Sequence, residues 1–145
     1  SYLVPVDNFT HTIEIWDTNG KLVRTLADIP LGEQVPAKGV PEGPRLFNWE
    51  PFKLSSLVWV EALDKGNPEI EVTHRDKIMT LQSPFNAEPK EIIRLKHRFQ
   101  GISYLQSEGF AFITEHDWKR KWRTTYLYNM NNPNTSPKII FDLNE

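Results

Sequence analysis

Gly101-Ile102-Ser103-Tyr104-Leu105 comes within one residue of G-x-S-x-G, the elbow that lifts a serine Oγ out of a sharp strand-to-helix turn for nucleophilic attack. Leu105 stands where the second glycine belongs, and the surrounding residues read as a strand. Without that turn Ser103 reads as a polar strand residue. His74-Arg75-Asp76 matches the opening of a kinase catalytic loop. Such a loop needs an Asn five residues after the Asp to hold a metal; Leu81 occupies that position, and no Gly-rich phosphate loop accompanies it. Arg75 and Asp76 are therefore expected to make structural hydrogen bonds or an ion pair where a loop enters a strand.

The four histidines, His11, His74, His97 and His116, form neither H-E-x-x-H nor H-x-H. Glu115-His116-Asp117 offers three ligand types, but consecutive strand residues point to alternate faces and cannot readily converge on one metal. Zero Cys excludes thiolate ligands, a thiol nucleophile and a disulfide framework. The run Trp118-Lys119-Arg120-Lys121-Trp122-Arg123 mixes cations with aromatic rings, a pattern that can grip nucleic acid through phosphates and stacking. Seventeen Lys+Arg against nineteen Asp+Glu leave a net charge of −2, the wrong balance for a dedicated nucleic-acid binder. A hairpin with a solvated tip and Trp anchors at its base is the simpler reading. Asn8-Phe9-Thr10 and Asn134-Thr135-Ser136 fit the glycosylation pattern, which is too frequent to carry weight. No catalytic residue, cofactor site or metal site emerges, and no substrate-binding residue is assigned.

What must position these groups is a chain of 145 residues, about one domain's worth. Hydrophobic residues make up 39%, and five Trp supply the bulk that a disordered segment lacks. No apolar run approaches the length of a membrane span. SYLVPVDNF has neither a basic leader nor a long apolar stretch, so no signal peptide is expected there. It also lacks an initiating Met, so the chain is expected to be either processed or, the preferred reading, a piece cut from a longer protein. The compartment stays open, a periplasmic or secreted parent included.

Eleven Pro and seven Gly punctuate the sequence and leave few windows for a helix. Asn19-Gly20 predicts a two-residue type I′ hairpin, pairing Trp16 with Val23, Ile13 with Leu26 and Asp17 with Leu22. Trp16 and Val23 would share one face, and Ile13, Ile15, Leu22 and Leu26 the other, so both faces should be covered. After the Pro/Gly-rich connection at 30–43 come eight more β-rich segments, for ten strands in all. EPKEIIRLKHRF alone would also tolerate a short helix; a strand is preferred because its later counterpart, KIIFDL, is unsuited to one.

That counterpart belongs to a repeat in which Phe47, Trp59, Ile78 and Ile93 recur as Ile102, Phe112, Tyr126 and Ile140, at offsets of 47–55 residues. Four short strands per unit at this spacing suggest propeller blades. The expected fold is all-β: about two and a half four-stranded antiparallel blades, with 1–29 ending one, 44–97 forming a second and 98–145 a third. Trp49, Trp59, Phe112 and Tyr126 should be buried between sheets. Open ends of such a fragment should promote self-association.

SYLVPVDNF, IEIWDTNGKLVRTLADIPL, GPRLFNWEP, LVWVEALDKGNPEIEVTHRDKI and HRFQGISY together resemble the β-propeller of the prolyl oligopeptidase family of serine peptidases, in its glutamyl-endopeptidase-like branch. A Trp-Val-Glu-Ala strand, an acidic-glycine loop and an Arg-Asp pair before the next strand carry the likeness, which runs from Ser1 to about Tyr128; Asn67-Pro68 departs from the more usual small acidic pattern. The resemblance implies a propeller that gates or positions peptide substrate for a C-terminal α/β-hydrolase domain bearing the Ser, Asp and His of the triad. None of those three falls within these residues. The competing reading is a free-standing β-repeat module that binds a protein or glycan through its loops.

Overall fold

Short runs of β-branched and aromatic residues bounded by turn formers become strands. The computed structural model describes residues 9–30, 35–106, 109–132 and 134–144, and in them ten strands and no helix. They are β1 (His11–Trp16), β2 (Leu22–Ile29), β3 (Pro44–Trp49), β4 (Ser56–Ala62), β5 (Asp76–Gln82), β6 (Lys90–Leu95), β7 (Arg98–Tyr104), β8 (Phe110–Asp117), β9 (Trp122–Asn129) and β10 (Lys138–Asn144). All pairings are antiparallel, in three sheets: the hairpin β1-β2, the meander β3-β4-β5-β6 and the meander β7-β8-β9-β10. The described residues close neither a barrel nor a propeller. The helix-tolerant segment is β6, where Ile93 pairs with Ile78 and Leu95 is fully buried.

The middle meander is covered on both faces, which explains why Ser56–Val60 is buried without alternation. Val58, Val60, Ile78 and Leu95 pack against Ala111, Ile113, Tyr128 and Met130 of the third sheet. On the opposite face Leu57, Trp59, Met79 and Leu81 meet Ile15 of the hairpin, with Leu26 and Phe47 completing the cluster. Arg24 ties the hairpin down by donating to the carbonyls of Phe85 and Ala87, at 2.8 and 2.6 Å.

Three sequence expectations are corrected. Asn19-Gly20 does not form the two-residue turn: Gly20 has a φ of +79° but Asn19 is not left-handed. The loop closes with the Gly20 N–H on the Asp17 carbonyl and the Asp17 N–H on the Lys21 carbonyl, a three-residue loop ending in a bulge. Asp17 causes this, because its carboxylate accepts the N–H groups of Asn19 and Lys21 at 2.9 Å and so stabilises a different local turn. Trp16 therefore pairs with Leu22, not Val23, and Ile13 with Ala27, not Leu26. Trp16, Leu22 and Val23 are exposed, so the hairpin is covered on one face.

The repeat is likewise displaced by one residue in two strands. Trp59 and Met79 face the hairpin, whereas Phe112 lies on the side of the third sheet turned away from the middle one. Its neighbours Ala111 and Ile113 occupy the side equivalent to Trp59. Ile78 faces the third sheet, but Tyr126 pairs with inward-facing Ile113. A slip of one exchanges the two faces of a strand. Trp59 is buried at 3% exposure, Phe112 and Tyr126 are half-buried, and Trp49 is 56% exposed at the end of edge strand β3.

Trp59 stacks on Phe47 at 5.5 Å and donates its indole N–H to Glu61. Replacing it with Ala should cost about 3–5 kcal/mol, while Trp49→Ala should cost about 1 kcal/mol or less. Chemical denaturation of the two variants checks both; equal losses would contradict this packing.

Candidate functional site

The densest constellation of ionisable groups lies where the middle and third sheets meet. Asp76 opens β5 two residues before inward-facing Ile78, so its carboxylate enters the same interior. Its Oδ2 accepts from Arg45 of β3 and from the Phe99 backbone N–H of β7, both at 2.7 Å, and its Oδ1 accepts from Arg98 at 2.7 Å. Asp64, in the β4–β5 loop, accepts from Arg98 at 2.6 Å and Arg75 at 2.7 Å, and also from the Gly66 N–H. Both carboxylate side chains are fully buried. The loop reaches this position because Gly66 has a φ of +75° and lets the Val40 N–H donate to its carbonyl; a Cβ there would strike the Val40 carbonyl.

Burial alone would raise the Asp64 pKa, but hydrogen bonds and charge from Arg98 and Arg75 outweigh it and hold the carboxyl below its ordinary value. Burial lowers Arg45, with Asp76 offsetting only part of the loss; in Arg98 the two carboxylates win and the pKa rises. Three guanidiniums thus share two carboxylates, and Arg45 Nη1 is buried with no hydrogen-bond partner among the described residues.

Above this network opens a cleft of about 340 Å³. Lys96 and His97 come from the β6–β7 turn, Arg98 opens β7, His116 and Asp117 end β8, Trp118 through Arg120 come from the β8–β9 turn, and Lys38, Pro68, Val72, Thr73 and Arg75 complete the wall. Burial keeps His97 below the usual histidine value despite Glu115 and Asp117 nearby. A smaller cavity of about 210 Å³ lies between the sheets, walled by Val58, Val60, Ile78, Phe99, Ile102 and Tyr104. Burial, with a lesser push from the Glu50 charge, raises the Tyr104 phenol to about 12.

Arg75 and Asp76 do serve structural ion pairing, as expected, but with Asp64, Arg45 and Arg98 and not with each other. Ser103 sits in the β7 ladder opposite Phe112, exposed and on no elbow. Glu115, His116 and Asp117 diverge: Glu115 accepts from the His97 N–H and the Tyr126 hydroxyl, His116 meets Trp118 edge-on at 4.5 Å, and Asp117 caps the turn at Lys119. Among the described residues no group of three His, Cys, Asp or Glu could hold a metal. Trp122 anchors its end of the hairpin by donating to Asp142, but Trp118 is 59% exposed and no anchor. Asn134, Thr135 and Ser136 are exposed, while Asn8 lies outside the described residues. No described helix is long and apolar enough to cross a membrane. Asp64, Arg98 and Arg45 were missed by motif reading; the available signal was Asp76 at an inward parity, which demands buried cations.

In sequence the chain is 35% identical over 146 residues to a protein of Oryza sativa subsp. japonica named probable glutamyl endopeptidase, chloroplastic, and 35% identical over 147 residues to one of the same name from Arabidopsis thaliana. Each alignment takes in 98% of this chain. The chain spans only 16% and 15% of those relatives. No protein-family model matches it, and no solved structure does. The likeness supports a peptidase-related origin for the chain.

Removing one partner from a buried charge network leaves the others uncompensated, so Asp64→Ala should destabilise the fold by about 3–5 kcal/mol in a denaturant titration. Because the folded Asp64 pKa lies below the ordinary 3.8, its stabilisation is complete above that value and is lost as pH falls through the folded pKa. Stability measured against pH should fall on the acid side, and Asp64→Asn should flatten that limb; an unchanged acid limb would contradict the assignment.

Proposed function

We propose that this chain is a non-catalytic stretch of the β-propeller of a glutamyl-endopeptidase-like serine peptidase of the prolyl oligopeptidase family. Its role is to gate or position peptide substrate for a C-terminal α/β-hydrolase domain, its partner in the longer protein. The observation that carries this reading is a repeated architecture: two successive four-stranded antiparallel meanders stack face to face, with a two-stranded hairpin on the far side of the first. Such stacking is how propeller blades cover one another. The plant relatives, named as glutamyl endopeptidases and about six times longer than the matched region, supply the enzymatic context. A free-standing module that binds a protein or glycan is the second reading, and its support is the cleft lined in part by the β6–β7 and β8–β9 turns.

Peptide hydrolysis needs a nucleophile, a base and an oxyanion hole, and Ser103 has the wrong backbone setting for the first. The purified chain should therefore leave chromogenic peptidyl-glutamyl substrates intact. The longer reading frame should encode, downstream, a G-x-S-x-G elbow followed by Asp and His, and its product should hydrolyse those substrates. Turnover by this chain itself, or a reading frame without the elbow, would overturn the proposal.

The same reading leaves the outer face of the third sheet without its neighbour. Phe141 and Leu143 are 56% and 58% exposed there, beside half-buried Phe112 and Leu127. Apolar patches and open strand edges promote association. Sedimentation across a concentration series should show reversible self-association, which Phe141→Lys and Leu143→Lys should suppress; a strictly monomeric chain would count against a missing sheet.

A further inference from the structure

The cleft above the ion-pair network carries a charge imbalance that the peptidase reading does not use. Its wall presents Lys38, Arg75, Lys96, Arg98, Lys119 and Arg120 against one carboxylate among the described residues, Asp117. Arg75 and Arg98 are engaged by Asp64 and Asp76 below, and Arg120 by Asp117 at 2.6 Å. Lys38, Lys96 and Lys119 are exposed, and none enters an ion pair among the described residues. Beneath them three guanidiniums share Asp64 and Asp76, and the buried Glu115 carboxylate beside His97 adds a third negative charge, so the surplus positive charge lies in the three lysines at the rim. In a chain of net charge −2, positive potential is thus concentrated at one opening, and low-dielectric walls focus it.

The remaining wall mixes Thr73 and the imidazoles of His97 and His116 with an apolar part: Pro68, Val72 and the exposed indole of Trp118, which meets His116 edge-on. A volume of about 340 Å³ falls at the small end of ligand pockets, which span about 300–1,000 Å³. Cations spaced around a partly apolar wall suit a ligand with carboxylates spaced along an aliphatic chain. Nucleic acid is a poorer fit, because its affinity comes from many phosphates tracked along an extended basic surface, and here only three ammonium groups surround one short cleft.

We propose that this cleft binds an acidic peptide segment. Lys38, Lys96 and Lys119 receive the carboxylates of neighbouring Asp or Glu residues, and Trp118 covers the aliphatic portion between them. The site is a binding site only and stands whether or not the longer protein is a peptidase.

Fluorescence anisotropy of a labelled oligo-glutamate peptide, titrated with the 145-residue chain at several salt concentrations, tests it. Binding should weaken with salt, and an oligo-glutamine peptide should not bind. The triple variant Lys38→Gln/Lys96→Gln/Lys119→Gln should lose about tenfold in affinity and flatten the salt dependence, with an unchanged unfolding midpoint because all three side chains are exposed. Trp118→Ala should weaken binding while leaving the salt slope intact. Absent binding, equal binding of oligo-glutamine, an unaffected triple variant, or tighter binding of a single-stranded oligonucleotide of equal charge would each overturn the proposal. No arm measures hydrolysis, so failure here is distinct from failure of the peptidase reading.

Discussion

Two buried carboxylates set the terms on which the middle and third sheets can meet. Asp76 holds Arg45 of its own sheet, Arg98 of the next and the backbone N–H of Phe99 at once. Asp64 reaches into the same space from the β4–β5 loop and shares Arg98. A buried charge is tolerable only when paired and hydrogen-bonded, so β7 must start where Arg98 and Phe99 can satisfy Asp76. Apolar packing between the sheets is larger in area but less particular about register. The network is therefore better understood as a device that specifies one arrangement than as a net source of stability, since buried ion pairs often do no better than apolar replacements.

The strands were legible because turn formers separate runs rich in β-branched and aromatic residues. Even β6 could be assigned correctly despite its helix-compatible spacing, through its likeness to β10. Side-chain facing was harder to read. The Asn19-Gly20 pair signalled a mirror-image turn, but the Asp17 carboxylate two residues earlier captured two backbone N–H groups and shifted the hairpin register. The repeat suffered in the same way. Bulges in β5–β6, β7–β8 and β9–β10 change spacing by single residues, so matching large aromatic residues by distance put Phe112 against Trp59 across opposite faces. Trp49 looked like core from its size alone, yet it ends an edge strand.

The candidate site was legible only in part. Arg75-Asp76 was visible as an adjacent charged pair at a loop–strand junction, and its structural role followed from the failure of the kinase pattern. Arg98, Asp64 and Arg45 come from 22, 12 and 31 positions away from Asp76, and no local pattern announces such a meeting. The Trp118–Arg123 run is visible as a basic-aromatic cluster, but Lys96, which lines the same cleft, comes from another turn and joins it only in the folded chain.

The claim that the shared carboxylate locks the two sheets together is tested most directly by a double-mutant cycle on Asp76 and Arg98. Asp76→Asn, Arg98→Met and the pair should be compared by denaturant unfolding. Groups in one buried network couple by about 0.5–3 kcal/mol, and a coupling above about 1.5 kcal/mol is expected for this pair at 2.7 Å. Additive effects, with coupling within about 0.5 kcal/mol of zero, would contradict the account and leave the sheet junction to apolar packing alone.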